Sequence, residues 1–212
     1  EKKSNFYTRY LYSKVLNKQY YHSARDERSK NYIESLGFKA INTGCVTMWG
    51  LTQEHCSQIP VDKADSVVFT LNYGYSVEID QQLLNILINN YKDIFFFPQG
   101  IGDMDRFNCL NNTENVKILP PNKESYHYFL LNNNTDYVGT RLHGGVYALR
   151  HKRRSIIIEI DERAREISKC TNLPTIGINE LGALSQMINS RLETKIYLPL
   201  ENIKEWKAQF GL

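Results

Sequence analysis

The sequence predicts an α/β protein built on a doubly wound, Rossmann-like parallel sheet. Two observations predict it. From Ser66 onward, short apolar runs alternate with segments of helical periodicity. The runs, such as Val67-Val68-Phe69-Thr70-Leu71, are nearly continuous, as strands covered on both faces require. The segments between them place apolar residues three and four apart, as in Leu83, Leu84, Leu87 and Ile88, the spacing of one helix face.

The elements follow in order. Phe6 to Leu16 reads as an amphipathic helix and Tyr20 to Ala24 as a short strand. Asp26 is an N-cap for a helix over Ser29 to Leu36, with Gly37 just past its end. Phe38 to Asn42 is a second strand. Gly44 to Asp65, with Pro60 and little periodicity, reads as a connection between two lobes. The alternation then runs strand 67–71, helix 79–91, strand 94–97 stopped by Pro98, helix 104–110 and strand 116–118. It continues through helix 123–131, strand 137–138, helix 142–149, strand 155–158 and helices 162–170 and 180–191. A last helix, 203–210, follows Pro199 and carries Trp206 and Phe210 on one face. The expected domains are 1–60 and 61–212.

Composition excludes several classes. The chain has 212 residues, enough for a core without disulfides. A net charge of +3 is too mild for a nucleic-acid binder, whose basic residues concentrate on one face. Cys45, Cys56, Cys109 and Cys170 are scattered, with no CxxC pair and no His at metal-ligand spacing. They predict free thiols and no metal site. No apolar run reaches membrane-spanning length and no signal peptide is visible, so a cytoplasmic location is expected. Asn111-Asn112-Thr113 and Asn133-Asn134-Thr135 are then chance sequons. The chain starts at Glu1 without Met, the expectation being a fragment or a trimmed chain.

Ligands of open α/β sheets bind beyond the carboxyl ends of the strands. There the sequence offers Gly139-Thr140-Arg141-Leu142-His143-Gly144-Gly145, between a strand and a helix start. A helix N-terminus favours an anion through its free N–H groups and dipole. The glycines allow close approach of a ligand or of backbone. Arg141 offers a planar fork for phosphate or carboxylate, and His143 can exchange a proton near neutral pH. Residue types and spacing give an anion site with a proton donor and no particular reaction.

The stretch Asp136-Tyr-Val-Gly-Thr-Arg-Leu-His-Gly-Gly-Val-Tyr-Ala-Leu-Arg150, with Ser155 to Arg165, resembles the signature of the polysaccharide pyruvyltransferase family. Arg25-Asp26-Glu27-Arg28-Ser29 resembles its Arg-Asp-x-x-Ser element, and Phe97-Pro98-Gln99-Gly100 with Asp103 its middle strand and loop. The resemblance runs over roughly 20–211. It implies a two-lobed GT-B-like architecture, of which only the end of the N-terminal lobe is present. The Gly-Asn-x-Gly-Asp type turn that opens the family's first lobe is missing.

The resemblance also implies transfer of a pyruvyl group from phosphoenolpyruvate to two hydroxyls of one sugar, forming a ketal. No cofactor is needed. It places Arg141, with Leu142 and Gly144 at the helix start, on the donor's anions, and His143 as the acid. Arg25 becomes a second anion ligand, its alternative being a salt bridge with Asp26 or Glu27. Asp161 and Arg163 would orient His143, contact the acceptor or pair with each other. The acceptor would be a cell-surface saccharide, free or lipid-linked. The run Arg150, Lys152, Arg153, Arg154 reads as a solvated turn, with peripheral contact to an anionic membrane surface as the alternative. Trp49 and Tyr73, Tyr75, Tyr126 and Tyr128 are either a sugar platform or core. Two rivals stand beside this reading: a GT-B glycosyltransferase with Glu159 or Glu162 on a ribose, and a non-catalytic binding remnant.

Overall fold

The computed structural model describes residues 5–72, Gly74 and 76–211, leaving out the side chain of Arg163. In chain order the elements are α1 (Phe6–Val15), β1 (His22–Ala24), α2 (Glu27–Ser35), β2 (Ala40–Asn42), α3 (Gln53–Cys56), β3 (Ser66–Thr70), α4 (Val77–Asn90), β4 (Asp93–Phe96), α5 (Asp103–Phe107) and β5 (Val116–Ile118). They continue with α6 (Lys123–Asn132), β6 (Thr135–Gly139), α7 (Leu142–Arg150), β7 (Ser155–Glu159), α8 (Glu162–Thr171), β8 (Thr175–Gly177), α9 (Leu184–Asn189) and α10 (Leu200–Ala208).

Side chains at the helix starts explain several of these boundaries. Asn5, Asp26, Thr52, Ser76 and Asn122 each accept a hydrogen bond from the backbone N–H three residues on. Each such cap satisfies one donor that has no partner within its helix. Gly37 ends the α2 segment at φ +85°, a left-handed conformation that a side chain would strain.

The chain divides into two compact units, one of residues 1–49 and 197–212, the other of residues 50–196. In the first, β1 and β2 pair in parallel. Helix α10 is tied to this unit by Asn202, whose amide donates to Asn42 O, and by Trp206, whose indole N–H donates to Tyr21 O. Trp49 packs edge-on against Trp206 and donates to Thr43 O, so it belongs to this packing.

The second unit holds a six-stranded, all-parallel sheet in the order β5-β4-β3-β6-β7-β8. Counted within that unit, the order is 3-2-1-4-5-6, the Rossmann arrangement, and it reverses direction between β3 and β6. Alternate strand residues face opposite ways. Val67, Phe69, Phe96, Val138, Ile156 and Ile158 pack with Leu83, Leu84 and Leu87 of α4, Phe107 of α5 and Leu184 and Ile188 of α9. Burying each of the α4 leucines contributes about 1.5–3 kcal/mol. On the opposite face, α7 lies so close that a Cβ on Gly145 would fall 2.5 Å from Ile157 Cγ1.

Three elements differ from the sequence expectation. The connection 44–65 contains the short helix α3, started by the Thr52 cap. Strand β8 occupies Thr175–Gly177, where Ile176 is the one apolar side chain, so no apolar run marks it. The helix expected over 180–191 is a 3-10 segment, Ile178–Ala183, followed by α9 ending at Asn189. Glu180 leaves helical geometry there and uses its carboxylate to accept from the Gly177 N–H.

Candidate active site

The chain ends of β3, β4, β6 and β7 surround a polar cleft of about 210 Å³ at the point where strand order reverses. It is lined by Asn72, Gln99, Thr140, Arg141, Leu142, His143, Ile160, Asp161 and Ala164. Ligands of such sheets gather there because the diverging connections leave a crevice.

Arg141 is the N-cap residue of α7, and its backbone is fixed from three sides. Its N–H donates to Thr70 Oγ1 at 3.2 Å, and its carbonyl accepts from the Tyr137 hydroxyl at 2.7 Å. Thr70 and Tyr137 hydroxyls meet at 2.7 Å, which closes the loop. Burial pushes the Tyr137 phenol far above its ordinary range, so it stays a neutral donor. This close packing needs Gly139, where an added Cβ would strike the Thr70 side chain and lie 2.7 Å from its backbone N. The glycines at 144 and 145 make room for protein rather than ligand. A Cβ on Gly144 would sit 2.7 Å from Gln99 Nε2.

The Arg141 guanidinium is already engaged. Nε donates to Leu71 O at 2.9 Å, and Nη2 donates to Asp103 Oδ1 in an ion pair. Asp103 is fully buried, and its other oxygen accepts from the N–H groups of Gln99 and Gly100 at 2.9 and 2.8 Å. The fork expected to face a ligand is thus turned partly inward. Its side chain stays 28% exposed, and Arg141 lines the cleft. Asp103, quoted in the sequence only for its motif, is what aims the guanidinium.

His143 is exposed in the first turn of α7 and lines the cleft with Leu142. Gly144 is buried behind them, where its carbonyl accepts from the Tyr126 hydroxyl at 3.0 Å. The N–H groups of that turn face the cleft end of the helix, as an anion site requires. Asp161 lines the cleft from the end of β7, and its Oδ1 accepts from the Ala164 N–H at 3.1 Å at the start of α8. Arg163 lies on α8, its side chain outside the described residues. Arg25 lies in the other unit, where its Nε pairs with Asp26 at 3.0 Å, the salt bridge weighed as its alternative role.

Other expectations resolve as follows. Glu159 accepts from Thr175 at 2.6 Å and approaches Arg165, which commits its carboxylate to the β7–β8 connection. The solvated-turn reading of the basic run fails for Arg153 and Arg154. Arg153 donates to Leu130 O at 2.8 Å, at the end of α6. Arg154 is 1% exposed, pairs with Asp136 at 2.7 Å and donates to the carbonyls of Met187, Ile188 and Ser190 at the end of α9. Both serve helix C-termini, where cations are favoured. Tyr126 is core, stacked on Phe97, while Tyr128 is exposed. Tyr73 and Tyr75 lie outside the described residues. The cysteines are free, and among the described residues no group of His, Cys, Asp and Glu could hold a metal.

A parallel sheet of this order with a polar cleft at its reversal defines a Rossmann-like α/β domain of ligand-binding design. The chain belongs to the polysaccharide pyruvyl transferase family, whose model matches residues 2–162. It is therefore a member of a family of transferases acting between a pyruvyl donor and a saccharide. The match takes in Arg25, Arg141 to Gly144 and Asp161 and stops short of Arg163. No curated protein and no solved structure matches the chain significantly.

Proposed function

We propose that the chain transfers the pyruvyl group of phosphoenolpyruvate to two hydroxyls of one sugar, forming a ketal. The sugar belongs to a cell-surface polysaccharide or to its lipid-linked precursor, and the work is done in the cytoplasm or at the inner membrane face. The observation that carries this reading is the meeting of Arg141 and His143 in one polar cleft of a chain that belongs to this family. Among the described residues no helix is long and apolar enough to cross a membrane.

The donor carries a phosphate and a carboxylate. The Arg141 guanidinium and the backbone N–H groups at the start of α7 suit one of them. Asp161 suits an acceptor hydroxyl at the opposite side of the cleft, with Arg163 nearby in sequence. Protonated His143 delivers its proton to the donor's methylene carbon, which becomes the methyl group. The neighbouring carbon becomes cationic and takes up a sugar hydroxyl, whose proton is lost. Phosphate leaves with its bridging oxygen, and a second hydroxyl closes the ketal.

Calorimetric titration with phosphoenolpyruvate, beside a uridine diphosphate sugar, tests the reading. Phosphoenolpyruvate should bind, and Arg141→Ala should weaken it about 10- to 100-fold, the value of a charge-assisted hydrogen bond. Binding of the nucleotide sugar alone would replace this reading by a glycosyltransferase. Equal phosphoenolpyruvate affinity in the variant would remove Arg141 from the site.

A further inference from the structure

A second ion pair stands next to the first, and no part of the reaction above uses it. Asp80 lies one turn into α4 and is 1% exposed. Its Oδ2 faces Arg106 Nε at 3.4 Å without a hydrogen bond. Arg106 lies on α5, three residues after the Asp103 that holds Arg141. Two carboxylates and two guanidinium groups thus adjoin, with charges that cancel when both acids are ionised. The other buried residues of α4, Leu83, Leu84 and Leu87, are purely apolar, so Asp80 is the one charge that this helix buries. Burying a carboxylate whose oxygen lacks a hydrogen bond is costly, so its presence calls for a use.

We propose that Asp80 is a positioning residue for the anion cleft, setting through Arg106 and Asp103 the charge that Arg141 presents to a ligand. With Asp80 ionised, the four groups are neutral together, and Arg106 has the Asp80 charge beside it. With Asp80 protonated, that charge no longer offsets Arg106, and the group as a whole is cationic. Anion binding in the cleft is then coupled to uptake of one proton on α4. The inference rests on the anion-binding reading of the cleft.

The direction of the Asp80 shift supports it. Burial raises this carboxyl to about 6, against the opposing pull of Arg106 and with a smaller push from Asp103. The groups that face it among the described residues are Arg106 and Asp103 on α5. On its own helix Glu78 is the nearest other acid and is solvent-exposed. His143 lines the cleft itself, so the test takes it away.

Two measurements do so. In the ligand-free protein, carbon-13 NMR follows the Asp80 carboxyl while nitrogen-15 NMR follows Arg141 Nε. Both should move together with a midpoint near 6, and the Arg141 signal should become flat in Asp80→Asn. An Arg141 signal that ignores the Asp80 titration overturns the proposal without touching the proposed reaction. Sulfate, which keeps its charge over this range, is then titrated at pH 5 and pH 8 in His143→Gln. Its affinity should rise on the order of tenfold at pH 5. In His143→Gln with Asp80→Asn the two pH values should agree, at the tighter affinity. A pH effect that survives Asp80→Asn overturns the proposal. Failure of sulfate and phosphoenolpyruvate to bind at any pH would instead remove the anion cleft, leaving the NMR titration to decide the role of Asp80.

Discussion

Arg150 and Arg154 look alike in the sequence, four residues apart in one basic run, yet the fold uses them in opposite ways. Arg150 is exposed at the end of α7, whereas Arg154 is buried among Asp136 and three carbonyls. Arg154→Ala should therefore cost about 3–5 kcal/mol in urea unfolding, because Asp136 and the end of α9 lose their cation. Arg150→Ala should stay within about 0.5 kcal/mol. Equal, small effects would show that water replaces Arg154 at little cost. The difference was invisible in the sequence because partner choice there depends on residues 18 to 36 positions away. The same limit applies to Arg141. Its place at a strand-to-helix turn was readable from local pattern, but its capture by Asp103, 38 residues earlier, was not. Where a residue sits follows from its own segment; what its polar atoms bind follows from the whole sheet.

At the scale of elements, most of the parallel sheet was readable because apolar runs alternate with segments of helical spacing. Strand β8 was missed because no apolar run marks it, and helix α3 because it has only four residues. Contacts between elements were less readable still. His127 of α6 meets His151, 24 residues away at the end of α7, at 2.9 Å. The His151 Nδ1–H donates to Tyr147 O at 2.8 Å, so the neutral ring turns Nε2 toward His127 as an acceptor. The Tyr147 hydroxyl lies 3.1 Å from the same His127 nitrogen. Burial lowers the His151 pKa from its ordinary 6.5, helped by the positive charges of Arg150 and Arg153. A base whose folded pKa is lowered stabilises the fold above its unfolded value. That contribution fades as pH drops below 6.5, because the unfolded chain takes up the proton first. Protonation would also set an N–H against an N–H across the α6–α7 contact. Thermal unfolding should thus show wild type losing stability between pH 6.5 and 5, by on the order of a few degrees more than His151→Gln. Parallel curves for the two proteins would mean that the histidine pair does not hold α6 to α7.

At the scale of the molecule, the two units raise the question of what the polar cleft needs. The sequence placed a boundary near residue 60 and assigned Arg25 to a donor site shared between lobes. All nine residues that line the cleft fall between Asn72 and Ala164, within the unit of residues 50–196. So do Asp103, which holds Arg141, and Thr70 and Tyr137, which lock its backbone. The whole six-stranded sheet and the core around Phe69, Phe96 and Leu84 are there too. A chain of 147 residues is long enough to bury such a core alone. Residues 50–196, expressed by themselves, should therefore unfold in one cooperative urea transition. They should bind phosphoenolpyruvate within about threefold of the full chain, a difference below 1 kcal/mol. A much larger loss with cooperative unfolding intact would return Arg25 to the donor site, since its own unit would then supply the missing cation. A fragment without a cooperative transition would show instead that the sheet depends on residues 1–49 or 197–212. The unit boundary would then lie elsewhere.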